Sequence, residues 1–382
     1  MKKVFVIILF FTIEANAQSF GFKVNGLPTL PDWTNNAWGL VSDSNWAGVP
    51  QPSFGLTETY RMYDSETNRN EELTYYASDS GGYYTHYIDA NDPNATNTDN
   101  AYGSIAKPRT TVPYPLAAGS VVEIHNAAEF SSIYNVIMNG TEAQPVFIRG
   151  VGDPTFQTGG IIKGCYGIVE GIYLYTGSLQ VRPHDSSNAH HICIRDCELE
   201  GDGVAFGGIV SIRVDGEYGN EFYDIVIYNN EIHHGGDSES ESENDTHGIE
   251  VKTDCYNIWI LGNHIHHMGG DAVQVSHGAN FTTHNVYIGG NTFHDDRENA
   301  VDIKEANRVV VSQNEMYNYE DSSTSSGEAC VVHEDPCNIY WLFNTIHDAE
   351  YGIVSTGSFD QYIIGNVIYN IHGGLSGHSS SS

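Results

Sequence analysis

Between about residue 160 and residue 370 the chain repeats a short alternating strand, a turn, and a second strand that ends in Asn. Gly248-Ile249-Glu250-Val251-Lys252 leads to Ile258-Trp259-Ile260-Leu261-Gly262-Asn263-His264-Ile265-His266. Asn299-Ala300-Val301-Asp302-Ile303-Lys304 leads to Val309-Val310-Val311-Ser312-Gln313-Asn314-Glu315-Met316-Tyr317. A repeat of this length buries its core only against its neighbours. The units are rich in strand formers and lack helical periodicity. An all-β parallel β-helix follows, and its stacked positions line up in columns. The pattern becomes regular at Gly119 and runs to about residue 375, with acidic insertions at 238–244 and 320–327 expected as surface loops.

The flanks read differently. Met1-Lys2-Lys3, the apolar run Val4 to Ile13 and Ala15-Asn16-Ala17 form a signal peptide cut after Ala17. The protein is therefore expected in the periplasm, on the cell surface or secreted, with no membrane insertion, because no later apolar run is long enough. Residues 18–118 are turn-rich and form an N-terminal extension and irregular cap. Residues 376–382 are a serine-rich tail or a truncated end. Cleavage takes Lys2, Lys3 and Glu14 from 16 basic and 49 acidic residues. The mature chain keeps a net charge of about −34, which excludes nucleic acid and anionic membrane as partners. Its carboxylates suit a divalent cation such as Ca²⁺, or simply a solvated surface. The six cysteines either pair in this exported chain or stack as free thiols in the core.

Strand residues alternate between faces. Pointing Val181, Ile212, Val251, Val275, Ile303 and Val332 inward forces Gln180 and Arg182, Ser211 and Arg213, Glu250 and Lys252, Gln274 and Ser276, Asp302 and Lys304, and Val331 and His333 outward. Lys163 begins the series. Five of the few basic residues thus fall in one column, Lys163, Arg182, Arg213, Lys252 and Lys304, and His333 continues it. On an acidic molecule this is a track for an extended anion, unless each cation merely pairs with its strand neighbour. The substrate-binding set is Lys163, Arg182, Arg213, Glu250, Gln274, Ser276 and Arg297.

The extended anion outside a cell is a polysaccharide that contains uronic acid. Its β-elimination needs a neutralised carboxylate and a base for the C5 proton. Lys304 and Lys252 are the candidate bases, with His333 and Arg213 completing the catalytic set. Asp271, Glu298, Asn299 and Asp302 are the oxygen ligands that could gather one Ca²⁺. The histidines beside each strand-ending Asn, among them His233, His264, His266 and His294, are expected to cover a ladder of Asn230, Asn263, Asn291, Asn314, Asn344 and Asn366.

At these residues the chain resembles the right-handed parallel β-helix polysaccharide lyases over roughly residues 119–375. Gly140-Thr141-Glu142-Ala143-Gln144-Pro145-Val146-Phe147-Ile148-Arg149-Gly150 is similar to the opening coil of alginate lyases and chondroitinase B. That resemblance implies a Lys base, a distant Arg and a Ca²⁺ held by acidic or amide side chains. Glu298-Asn299-Ala300-Val301-Asp302 is similar to the calcium segment of family-nine pectate lyases, with Asn299 in place of an Asp. Arg182-Pro183-His184-Asp185 is similar to a segment of mannuronan C5-epimerases. The expected activity is a secreted, Ca²⁺-assisted lyase, monomeric, acting on an anionic polysaccharide. A C5-epimerase and a non-catalytic glycan-binding or adhesive module are the alternatives.

Overall fold

The computed structural model describes residues 5–6, 51–64, 68–125, 136–152, 154–184, 187–202, 207–212, 220–238, 245–275, 282–323, 325–357 and 359–378. Residues 1–17, expected as a leader, lie outside these residues apart from Phe5 and Val6, as do Arg213, Ser276 and Ser379–Ser382. The chain winds into a right-handed parallel β-helix in which 29 strands join one continuous ladder. Each coil contributes to three faces. In one coil these are Thr246–Val251, Cys255–Leu261 and His264–His266. In the next they are Val273–Val275, His284–Gly289 and Thr292–His294.

The period-two pattern builds the core. Val181, Ile212, Val251, Val275, Ile303 and Val332 are fully buried on the first face. They stack in register through Val181↔Ile212, Ile212↔Val251, Val251↔Val275, Val275↔Ile303 and Ile303↔Val332. β-Branched side chains suit this half-confined, pleated surface.

The corner between the second and third faces has two residues. The first is left-handed: Gly262 at φ 60° and Gly290 at φ 64°, where glycine carries no steric cost. The second is the stacked Asn. The Asn291 amide oxygen accepts from the Asn263 backbone N–H at 2.8 Å and from its Nδ2 at 3.1 Å. The Asn291 Nδ2 donates to Ile260 O and Asn314 Oδ1, each at 2.9 Å. The same pattern links Asn230 to Asn263, Asn314 to Asn344 and Asn344 to Asn366. The ladder satisfies turn groups that the sheet leaves unpaired.

Parallel pairing starts before Gly119: His86–Ile88 lies in register with Val122–Ile124, and Leu116–Ala117 with Met138–Asn139. Upstream, Phe54, Tyr60 and Tyr63 pack on the outer side of the second face with Phe147, Cys193 and Val226. Arg195 ties this segment down, donating to Gly55 O at 2.5 Å, Glu58 O at 2.7 Å and Glu170 Oε2 at 2.7 Å. All six cysteines are free thiols. Four of them are buried, which is the packing alternative rather than the bridged one. No helix among the described residues is long and apolar enough to cross a membrane.

Candidate functional site on the first face

The outward positions of the first face stack as the alternation predicts. Gln180, Ser211, Glu250, Gln274, Asp302 and Val331 form one column by strand register. Lys304 pairs directly with His333 in the next column, and Arg182 N–H and Lys252 N–H bond to Ile162 O and Ile212 O in matching positions. The backbone register thus brings Lys163, Arg182, Lys252, Lys304 and His333 onto one ribbon.

Depth separates the charges. The Glu250 and Asp302 side chains are 2% and 5% exposed, against 30% for Lys252, 15% for Lys304 and 32% for His333. The carboxylates lie at the bottom and the cations above them. Glu250 accepts from Ser211 Oγ at 2.9 Å and pairs with Lys252. Asp302 lies 3.0 Å from Lys304 Nζ and 2.9 Å from His333 Nε2. Burial works against the Lys304 ammonium, but the Asp302 carboxylate outweighs it and the pKa rises. The hydrogen bond to Asp302 likewise raises His333, against burial.

One constellation was not legible in the sequence. His247 is buried between two carboxylates, with Nε2 3.2 Å from Asp245 Oδ1 and Nδ1 3.2 Å from Asp271 Oδ2. The ring fits because position 270 is glycine; a Cβ there would stand 2.9 Å from Nδ1. The Asp271 backbone N–H also approaches Nδ1, at 3.1 Å. The two flanking carboxylates decide in favour of the protonated ring. Burial pulls its pKa down, yet the hydrogen bonds to Asp245 and Asp271 lift it to about 10. The only sequence signal was Asp245 two residues before His247, since Asp271 arrives from the following coil.

A raised folded-state pKa makes stability pH-dependent. The unfolded ring titrates near 6.5, so the His247 contribution is complete below that pH and is lost as pH rises toward 10. Urea midpoints should fall across this window. His247→Gln should be less stable at pH 6 and should flatten the fall; an unchanged slope in that variant would rule out His247 as its source.

The four expected calcium ligands do not form a cage. Asp271 Oδ1 accepts from Asn299 Nδ2 at 2.7 Å, and Oδ2 accepts from Gln274 Nε2 at 3.3 Å and faces His247. Asp302 is held by Lys304 and His333, and Glu298 sits 4.0 Å from Arg297 Nη1. Asp271, Glu298 and Asp302 do not bring an oxygen each within 4.8 Å of one another. Asn299 Oδ1 and Asp302 Oδ1 are buried without a well-aligned hydrogen-bond partner, although Asp302 Oδ1 faces His333 Nε2 at 2.9 Å. Nitrogen atoms already face Asp271 and Asp302, so these residues do not fit Ca²⁺ in this arrangement. Arg297, expected at the surface to bind substrate, is 5% exposed and donates to Ser323 Oγ at 2.8 Å. It thereby holds Ser323 of the 320–327 insertion. Nearby, burial pushes Asp296 well above the usual carboxylate range, where Tyr319 donates to it at 2.8 Å.

No family model and no curated protein matches the sequence. Among solved structures, the chain is similar to the surface adhesin PfbA of Streptococcus pneumoniae (14% identity, 69% of this chain and 71% of that one, TM-score 0.48). It is also similar to the pectate lyase Pel9A (10%, 75% and 77%, TM-score 0.41). A lacto-N-biosidase from Eubacterium ramulus is a third (10%, 77% and 67%, TM-score 0.45). The fold rests on the pairing registers above, and any chemistry rests on the side chains of this chain.

Two grooves of the described surface lie away from the ionic column. One is bordered by Tyr173, Cys197, Glu231 and His264, another by Tyr319, Asp348 and His372. A flat sheet meets a polymer along its length and needs no enclosed cavity.

Proposed function

We propose that the first face binds a uronate-containing polysaccharide and cleaves it by β-elimination. The observation that carries this reading is the layering of the column, with Lys252, Lys304 and His333 above buried Glu250 and Asp302. Lys252 and Lys304 stand two coils apart, about 9.5 Å between backbones at the usual strand spacing, a gap that two extended lysine side chains can close onto one uronate. Lys252 would neutralise one uronate carboxylate and acidify its C5 proton. Lys304, as the free amine, takes that proton; the resulting ammonium returns it to the leaving glycosidic oxygen as the C4–O bond breaks. Asp302 and His333 hold the Lys304 amine in place. No step needs Ca²⁺.

A base with a raised pKa is mostly protonated at neutral pH, so the rate should climb as pH rises into the alkaline range. If Lys304 supplied only charge, the rate would fall there. The assay is ultraviolet absorbance of unsaturated uronate ends on alginate, pectate and glycosaminoglycans, with and without chelator. Absorbance that persists with chelator and grows with pH is expected; none on any uronate polymer would sink the reading. Changed uronate composition without scission would indicate an epimerase, and binding without change an adhesive module. A hydrolytic reading is favoured by one feature. Glu250 and Asp302 are both buried and, through Gln274, two strands apart in register, close to the separation of an inverting pair. New reducing ends without absorbance would select it.

A further inference from the structure

The third face carries a different chemistry. His233, His266, His294, Tyr317, His347 and Tyr369 stack as one outward column. Their rings lie nearly parallel, with His266 and His294 at 4.9 Å and His294 and Tyr317 at 4.7 Å. Tyr317 and Tyr369 fill column positions as well as histidine does, so stacking alone does not require imidazole.

Where the histidines cluster, ligand atoms converge. The adjacent outward position places Glu231 beside His264 in register. His264 Nε2 lies 2.7 Å from His294 Nε2, and His266 Nε2 lies 3.6 Å from Glu231 Oε1. The strand ends fold back: His267 at φ 58° and Asp295 at φ 57° are left-handed and return their side chains to the column. His266 Nδ1 is then 2.7 Å from His267 Nδ1, and His294 Nδ1 is 2.6 Å from Asp295 Oδ2. Each nitrogen–nitrogen contact holds at most one proton, so one ring nitrogen of each pair is an acceptor that could bind a cation in place of the neighbouring N–H.

We propose that this patch binds a Zn²⁺-type ion, with Glu231, His264 and His266 as one ligand set and His267, His294 and Asp295 as the next. Within each set, one ligand atom per residue lies within 4.8 Å of the others. Two imidazoles and a carboxylate are a borderline-soft donor set suited to Zn²⁺ and leave a fourth position open. Access is direct: the His264 side chain is 44% exposed and Glu231 51%, and a groove of about 540 Å³ borders both residues. The site is on the third face and does not depend on the glycan reading.

The test is equilibrium dialysis of the full chain with ZnCl₂ alone, with metal counted per chain, followed by a Co²⁺ absorption spectrum. One or two ions per chain and intense tetrahedral d–d bands are expected. His266→Tyr and His294→Tyr keep an aromatic ring in the stack, as Tyr317 does, so the fold should survive. Each should weaken its site more than about 100-fold, beyond the usual cost of losing an outer-shell partner. His284→Tyr, in the separate stack on Tyr256, should change nothing. No Zn²⁺ uptake by the unaltered chain, or equal uptake by the His266→Tyr and His294→Tyr chains, would overturn the proposal.

Discussion

Lys304→Met is expected to lower turnover of the cleaved uronate polymer by about 10³-fold, the usual worth of a positioned proton-transfer group. Methionine keeps the apolar stem and removes the amine, so packing along the ribbon is preserved. Asp302 retains His333 at 2.9 Å, and the loss in stability should be about 1–3 kcal/mol, the usual cost of taking one partner from a buried acceptor. Lys252→Met should act on KM more than on kcat, since that ammonium meets the uronate carboxylate in the ground state as well. Initial rates by absorbance, with binding measured separately, distinguish the two. If Lys304→Met left kcat within a factor of about three, the proton would have to move by another group.

Asn291→Ala is expected to cost about 3–5 kcal/mol, which is exceptional for one surface-distant polar residue. Asn291 is 1% exposed. Its removal strands the Asn263 backbone N–H, the Asn263 Nδ2 and the Ile260 carbonyl in a site that water does not reach. Each such orphan costs about 1–3 kcal/mol. Glu315→Ala, on the exposed side of the same face, should stay within about 0.5 kcal/mol. Urea unfolding of the three chains measures the contrast. A loss under about 1 kcal/mol for Asn291→Ala would mean that the corner relaxes and re-pairs.

Both effects trace back to features with different visibility. The Asn ladder was legible because identical residues recur at the same place in each repeat, and a solenoid must superpose them. The charged column was legible for the same reason: alternation fixes which side a residue takes, and stacking fixes its neighbours. Arg297 is not legible as a buried residue because its partner Ser323 belongs to an insertion, and insertions follow no period. The His247 pair with Asp271 was hidden because its partners are 24 residues apart and meet only through the distance between coils.

The sequence by itself determined the winding, the inward row from Val181 to Val332 and the ribbon on which Lys252 and Lys304 stand, since a repeat of period two has only one way to bury its apolar side. Only the tertiary structure decided which charges are deep and which are exposed. Depth is set by neighbouring coils and overlying loops, and it turned the expected calcium cage of Asp271 and Asp302 into carboxylates already held by His247, Lys304 and His333.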